Sequence, residues 1–110
     1  MIVHFEDQKL MRLVSDERRL LKTFGLKRSE RIKVRIAQLR SVECMSDLAL
    51  LPGRWHELTS NLAGHWSGDL DHPYRLLIRP GEPVPRRPDG GVDWSAVVNT
   101  VIVGIRDTHE

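Results

Sequence analysis

The side chains in this sequence that can exchange protons near neutral pH or grip an anion gather in three short stretches. They are Arg54-Trp55-His56-Glu57-Leu58, then Gly64-His65-Trp66-Ser67 followed by Tyr74-Arg75-Leu76, and last Asp107-Thr108-His109. An imidazole titrates close to neutrality, so it can accept a proton as the neutral ring and return one as the cation. A guanidinium offers a fixed fork of donors to a phosphate and to the charge that develops on it. None of the three stretches is a general catalytic signature. The sequence contains no Gly-x-x-x-x-Gly-Lys-Ser/Thr loop, no dinucleotide glycine fingerprint and no Gly-x-Ser-x-Gly elbow. His56-Glu57 begins like the zinc-hydrolase motif His-Glu-x-x-His, but Ser60 stands where its second histidine belongs. Cys44 is the only cysteine, so neither an intrachain disulfide nor a cysteine cluster for zinc can form, and it reads as a buried apolar side chain. No metal and no cofactor is expected.

The elements that must position these residues change character at Pro52. Ile2 to Phe5 is a short apolar run suited to a first strand. Helical spacing begins with Leu10, Leu13 and Val14 and restarts after Ser15, whose hydroxyl is the expected cap of a helix with Asp16 and Glu17 in its first turn. Gly25 is the expected stop. From Lys27 onward Ile32, Ile36 and Leu39 form an apolar stripe, and Arg28, Arg31, Lys33, Arg35 and Arg40 take much of the remainder of a basic amphipathic helix. A brief turn or helix around Ser46 to Leu51 ends at Pro52-Gly53. Thereafter residues alternate: Trp66 and Leu70 against His65, Ser67 and Asp69, then Tyr74, Leu76 and Ile78 against Arg75, Leu77 and Arg79, with Asp71-His72-Pro73 between. Four prolines and three glycines in Pro80 to Ser95 forbid a regular element there, and Val97 to Ile105 reads as a final, well-buried strand. The expected architecture is α+β, an N-terminal strand and helices packed on one face of a mainly antiparallel sheet, as one domain over residues 1–110.

Charge is divided unevenly along the 110 residues, whose net charge is +2. Residues 1–40 hold 11 of the 17 Lys/Arg and 5 of the 15 Asp/Glu, a balance of +6, which leaves 6 and 10, or −4, for the rest. A basic face for nucleic acid beside a surface of different character fits this split, and so do simple solvated helix faces. The opening Met1 to Asp7 lacks the basic and apolar regions of a signal peptide, and nowhere do about 20 apolar residues run together. A cytoplasmic protein with no membrane association is expected.

Read together, Arg54 to Arg79 (RWHELTSNLAGHWSGDLDHPYRLLIR) and the ending VIVGIRDTHE resemble the RelE/ParE superfamily and, within it, the HigB-like host-inhibition (plasmid-maintenance killer) toxins. The Pro-rich GEPVPRRPDGGVDW is similar to one branch of that group. The resemblance spans nearly the whole chain, the helical half in pattern and the sheet half in particular residues.

It implies a RelE-like small domain that acts as the toxin of a type II toxin–antitoxin system. Such a toxin docks in the ribosomal decoding site and cuts messenger RNA without a metal, a 2′-hydroxyl attacking the neighbouring phosphorus. By position, His56, Arg75, Asp107 and His109 match the family's catalytic residues. Lys27, Arg28, Arg31 and Lys33, from their charge, and His65 and Arg79, from the strands, form the expected RNA-binding set. The implied partners are the ribosome, messenger RNA and a helix-turn-helix, HigA-like antitoxin, with operator DNA reached only through the antitoxin. Thr108 replaces the usual aromatic residue, His65 stands where an aromatic is common, and the loop Thr59 to Ala63 lacks the family's Lys or Arg. A ParE-like gyrase poison and a catalytically inactive antitoxin-binding module share the fold and remain alternatives. Plainer uses are open as well: Arg75 as an ion-pair partner of Asp107 or Asp69, Trp55 and Trp66 as packing residues, Trp94 as an anchor for the Pro-rich excursion, and His4 and His72 as surface or structural residues.

Overall fold

The computed structural model describes residues 1–107. Strand β1 (Ile2–Phe5) leads into helix α1 (Gln8–Ser15), whose N-cap Asp7 accepts a hydrogen bond from the Leu10 amide at 2.8 Å. Helix α2 (Glu17–Ser41) follows after one residue. Its cap is Asp16 rather than Ser15, because Ser15 still belongs to the preceding helix and the chain turns one residue later. The Asp16 carboxylate accepts from the amides of Arg18 and Arg19 at 3.0 and 3.2 Å, and a carboxylate at a helix N-terminus also meets the helix dipole. Gly25 interrupts α2 with φ +80° and ψ 171°, a conformation that glycine takes at little cost. The helix therefore bends where the sequence pattern placed its stop.

Three strands, β2 (His56–Glu57), β3 (Trp66–Asp69) and β4 (Tyr74–Pro80), form an antiparallel meander. The chain then makes its Pro-rich excursion and returns as β5 (Asn99–Asp107). The sheet order is β1-β5-β4-β3-β2. Strand β1 runs parallel to β5, Ile2 opposite Asn99 and Phe5 opposite Ile102, so the sheet is mixed. Only the middle of β5 is deeply buried: Thr100, Val101 and Ile102 are covered, whereas Arg106 and Asp107 are exposed.

One face of the sheet carries the core. Ile32, Ile36 and Leu39 from α2 meet Trp66, Leu76, Ile78 and Ile102, and Leu20, Met45, Leu48 and Val97 close the edges. Burial of that apolar area is the main drive to this arrangement. Trp55 lies flat beneath Gly68, where a β-carbon would come within 2.8 Å of its ring, and its indole donates to Gln38 at 2.9 Å. Trp94 packs on Trp66 with ring centroids 5.5 Å apart, which anchors the excursion. Cys44 is half-buried, its Sγ 3.3 Å from the Ser46 hydroxyl. Among the described residues no helix is long and apolar enough to cross a membrane.

Candidate functional site

Cross-strand partners in a sheet point to the same side, so the register specifies what the face opposite the helices presents. One row runs His56, Ser67, Leu77 and Gly104, from β2 to β5. A second holds Asp69, Arg75 and Arg106, and Arg54 joins it from just before β2, its Nη1 3.8 Å from Asp69 Oδ2. Toward the other end of the strands, Arg79 lies opposite Val101, which lies opposite His4. A bulge between Leu77 and Ile78 leaves Val103 unpaired between the last two rows.

His56 is half-buried and its Nδ1 lies 2.7 Å from the Arg54 carbonyl. That contact makes Nδ1 the protonated nitrogen and leaves Nε2 as the acceptor in the neutral ring. Arg75 sits two strands away and one pair along, about 12 Å between α-carbons at ordinary strand spacings. Its Nε lies 3.3 Å from Asp69 Oδ1, an ion pair without an aligned hydrogen bond. Between them Ser67 is fully buried, and its hydroxyl has no hydrogen-bond partner among the described residues. Gly104 contributes no side chain, and Arg106 leans back over it, its Nε 3.7 Å from where a β-carbon would stand.

Of the four residues matched to catalytic roles, His56 and Arg75 thus share the face opposite the helices, on which Ser67 and Leu77 between them are fully buried. Asp107 pairs in register with Tyr74 and alternates with Arg106, so it lies on the other side of β5. His109 is outside the described residues. His65 and Arg79 line a cleft of about 460 Å³ under the Pro-rich excursion, together with Glu57, Glu82 and Arg86. Arg79 is bound there to Glu6, with Nε and Nη2 each 3.2 Å from Oε2.

The helix cations lie elsewhere, and several hold the fold together. Arg28 makes a two-pronged ion pair to Asp71 at 2.8 and 3.1 Å and stacks 3.6 Å above the Tyr74 ring. The hydrogen bonds raise the Arg28 pKa and hold the Asp71 carboxyl below its usual range. Lys33 pairs with Glu17 and Glu30, both at 2.9 Å, which raises its pKa. Arg35 is buried, donating to the Asp69 carbonyl at 2.6 Å and to Gln38 at 3.2 Å; burial, then the nearby Arg31 charge, lower its pKa. Lys27 and Arg31 are exposed, Arg31 reaching the Leu70 carbonyl at 3.4 Å.

Sequence reasoning gave no site role to three residues of the face opposite the helices: Arg54, named only within the stretch Arg54 to Leu58, Asp69, named only as an ion-pair partner for Arg75, and Arg106. The signal for Asp69 and Arg106 was the two-residue alternation, which puts them in step with Arg75 once the register is known. For Arg54 there was none beyond its distance of two residues from His56. Among the described residues no cluster of three His, Cys, Asp or Glu side chains is placed to hold a metal.

No family model and no curated protein sequence matches the chain. Solved structures do. A chain of the YoeB-YefM complex from Staphylococcus aureus superposes with a TM-score of 0.58 at 13% identity, over 96% of this chain and 94% of that one. The YoeB/ParE toxin from Agrobacterium tumefaciens gives 0.58 at 13%, over 98% and 99%. A heterotetrameric YoeB-YefM toxin-antitoxin complex from Staphylococcus aureus gives 0.54 at 17%, over 96% and 94%. At these identities the likeness establishes a shared fold.

Proposed function

We propose that this chain, folded as the YoeB/ParE toxins are, is the toxin of a type II toxin–antitoxin pair and cuts messenger RNA on the ribosome. The observation that carries the reading is the sheet face opposite the helices, which holds His56 and Arg75 together with Arg54 and Arg106, Arg54 and Arg75 both approaching the carboxylate of Asp69. A fold shared with toxins raises the prior, but the site must carry the function.

In-line attack of a 2′-hydroxyl needs a base, an acid for the leaving 5′-oxygen, and positive charge for the phosphorane. Nε2 of His56 is available as base in the neutral ring, and His109 is the proposed acid, with Asp107 orienting its imidazole. Arg75 meets the charge on the non-bridging oxygens, worth most where water is excluded. Because the nucleophile comes from the substrate, no metal is required to make one. Lys27, Arg28, Arg31, Lys33, His65 and Arg79 are the proposed contacts to the RNA backbone. The proposed partner is a helix-turn-helix antitoxin, HigA-like as the resemblance to the HigB branch implies, through which alone the toxin reaches operator DNA. The site of action is the cytoplasm, where translation occurs.

The deciding experiment expresses the chain without antitoxin and maps transcript ends by primer extension, on a translated message and on the same message with its start codon removed. New ends in the translated message only are the expected result. No cleavage in either, with DNA supercoiling altered instead, assigns the fold to gyrase poisoning.

A further inference from the structure

After β4 the chain runs for thirteen residues, Gly81 to Asp93, with no regular element beyond one isolated bridge. Connections of roughly 12–15 residues are uncommon in compact domains and are kept for a function or left disordered. This one is held in place. Arg86 and Val92 pair as an antiparallel bridge, the Arg87 amide donates to the Gly91 carbonyl at 2.7 Å, and the Asp93 amide donates to the Pro85 carbonyl at 2.9 Å. Pro83, Pro85 and Pro88 fix further backbone angles. Of its apolar side chains only Val92 packs against the core, and that one is half-buried. Core packing therefore does not account for the segment.

The segment walls the cleft of about 460 Å³, and Gly64 and His65 of the β2–β3 loop wall it from the other side. Sites for small organic ligands hold about 300–1,000 Å³ and are mostly apolar, with a few polar groups that fix orientation. Here Val84 and Val92 supply apolar surface, Glu57 and Glu82 supply carboxylates, and Arg79 and Arg86 supply guanidiniums. Arg79 is engaged by Glu6. Arg86 is exposed, its Nη1 3.4 Å from the Gly90 carbonyl. Apolar surface edged by donors and acceptors is what an unstacked nucleobase requires, since its ring faces shed water and its edges need partners. Guanine matches the mixture best: N1–H and the 2-amino group donate to carboxylates, and O6 with N7 accepts the fork of an arginine. The cleft also lies beside the proposed chemistry. His65 stands two residues before Ser67, the cross-strand partner of His56, about 7 Å along the strand.

We infer that this cleft holds a guanine of the message next to the cleaved bond, Glu57 and Glu82 accepting from its N1–H and 2-amino group and Arg86 donating to O6 and N7. The inference rests on the RNA-cleavage reading and gives that reading a base preference. His65 and Arg79 keep the backbone contacts proposed for them.

The test uses the full chain and ribosomes with a vacant decoding site. Their messages differ in one base beside the cleaved bond: guanine, adenine, inosine, which lacks the 2-amino group, or 7-deazaguanine, which lacks N7. Single-turnover cleavage gives the half-saturating ribosome concentration for each. At one flanking position the wild type should favour guanine over adenine about tenfold, within the range of one bidentate pair. Inosine and 7-deazaguanine should each forfeit part of that advantage. Arg86→Ala should treat guanine and 7-deazaguanine alike, and Glu57→Ala combined with Glu82→Ala should treat guanine and inosine alike. Both variants should melt near wild type, as exposed substitutions do, and keep the maximal rate within about twofold. Arg86→Lys keeps the charge without the fork, so it should retain the wild-type salt dependence and lose the preference for guanine over 7-deazaguanine. Cleavage without base preference at either flanking position, or a guanine preference that survives in both variants, overturns the site and leaves the cleavage reading intact. So does a salt slope shallower by about 0.7 in Arg86→Ala with its preference unchanged, which makes Arg86 a phosphate contact. A loss of antitoxin affinity alone also overturns it and gives the cleft to the protein partner. A wild-type chain that cleaves no message overturns both.

Discussion

The arginines on the two faces of this sheet look alike in sequence and behave differently in the fold. On the helix side the covered arginines meet designated partners: Arg28 has Asp71 and the Tyr74 ring, and Arg35 has the Asp69 carbonyl and Gln38. On the opposite face Arg54 and Arg75 approach the carboxylate of Asp69, and Arg106 stands across from Arg75 in the next strand. A satisfied cation stabilises the fold, whereas an exposed, surplus cation such as Arg54 favours a ligand. Asp69 joins the two sides, since its carbonyl accepts from Arg35 at 2.6 Å while its carboxylate faces outward.

If that division is right, the largest stability effect comes from the buried side. Arg35→Ala takes a charged donor from the Asp69 carbonyl, leaves the Gln38 amide oxygen with the Trp55 indole, and opens space beneath Gly53. A hydrogen bond to a charged group contributes about 1.5–3 kcal/mol, so we expect a loss of about 2 kcal/mol, roughly 10 °C in melting temperature. Arg106→Ala, on the exposed end of β5, should stay within about 0.5 kcal/mol of wild type. Thermal melting of both proteins checks the contrast. Equal losses would mean that the arginines of the opposite face are structural after all.

The helix-side pair at the β3–β4 turn gives a smaller effect with a pH signature. The Arg28 guanidinium lowers the Asp71 pKa in the folded state, so the pair's contribution is fully present above the ordinary carboxyl range, near pH 4. It is lost as pH falls through the lowered folded value. The pair is partly exposed, and about 1 kcal/mol is the scale to expect at neutral pH. Asp71→Asn should therefore melt below wild type by a constant margin above about pH 5. The margin should close as both proteins are taken toward pH 2. Melting curves across that range decide it, and a margin that persists at the acid end would remove Arg28–Asp71 as its source.

These contrasts also mark what could be read from the sequence. The stripe Ile32, Ile36, Leu39 and the alternation from Trp66 to Arg79 reported helix and strands directly, because periodicity is local and burial enforces it. The parallel partnership of β1 with β5 was not legible, since Ile2 and Asn99 meet only through the completed fold. His56 and Arg75 were found by residue type and by resemblance. Arg54 needed a positive φ and a register, neither of which a side chain announces. The basic helix shows the opposite problem: its cations were visible, but Asp71, which engages Arg28, lies 43 residues away in the chain.

The smallest expected effect concerns that helix and sharpens the comparison most. If α2 touches ribosomal RNA, its contribution should come chiefly from Lys27 and Arg31, which are exposed. Arg28 and Lys33 must loosen ion pairs with Asp71 and with Glu17 and Glu30 before meeting a phosphate. Replacing Lys27 and Arg31 together by Ala should leave the melting temperature nearly unchanged, as for ordinary surface substitutions. It should also make the salt dependence of ribosome binding shallower, by at most about 0.9 for each phosphate that is no longer neutralised. Replacing Arg28 and Lys33 together should do the reverse, lowering the melting temperature while moving the salt slope less. Affinity measured at several salt concentrations, beside melting curves of the same two double variants, separates these outcomes. A slope unchanged in both would return the whole helix to the role of a solvated face. A larger change in slope from Arg28 and Lys33 would mean that RNA displaces their carboxylate partners, and the line between satisfied and surplus cations would then have to be redrawn through α2 itself.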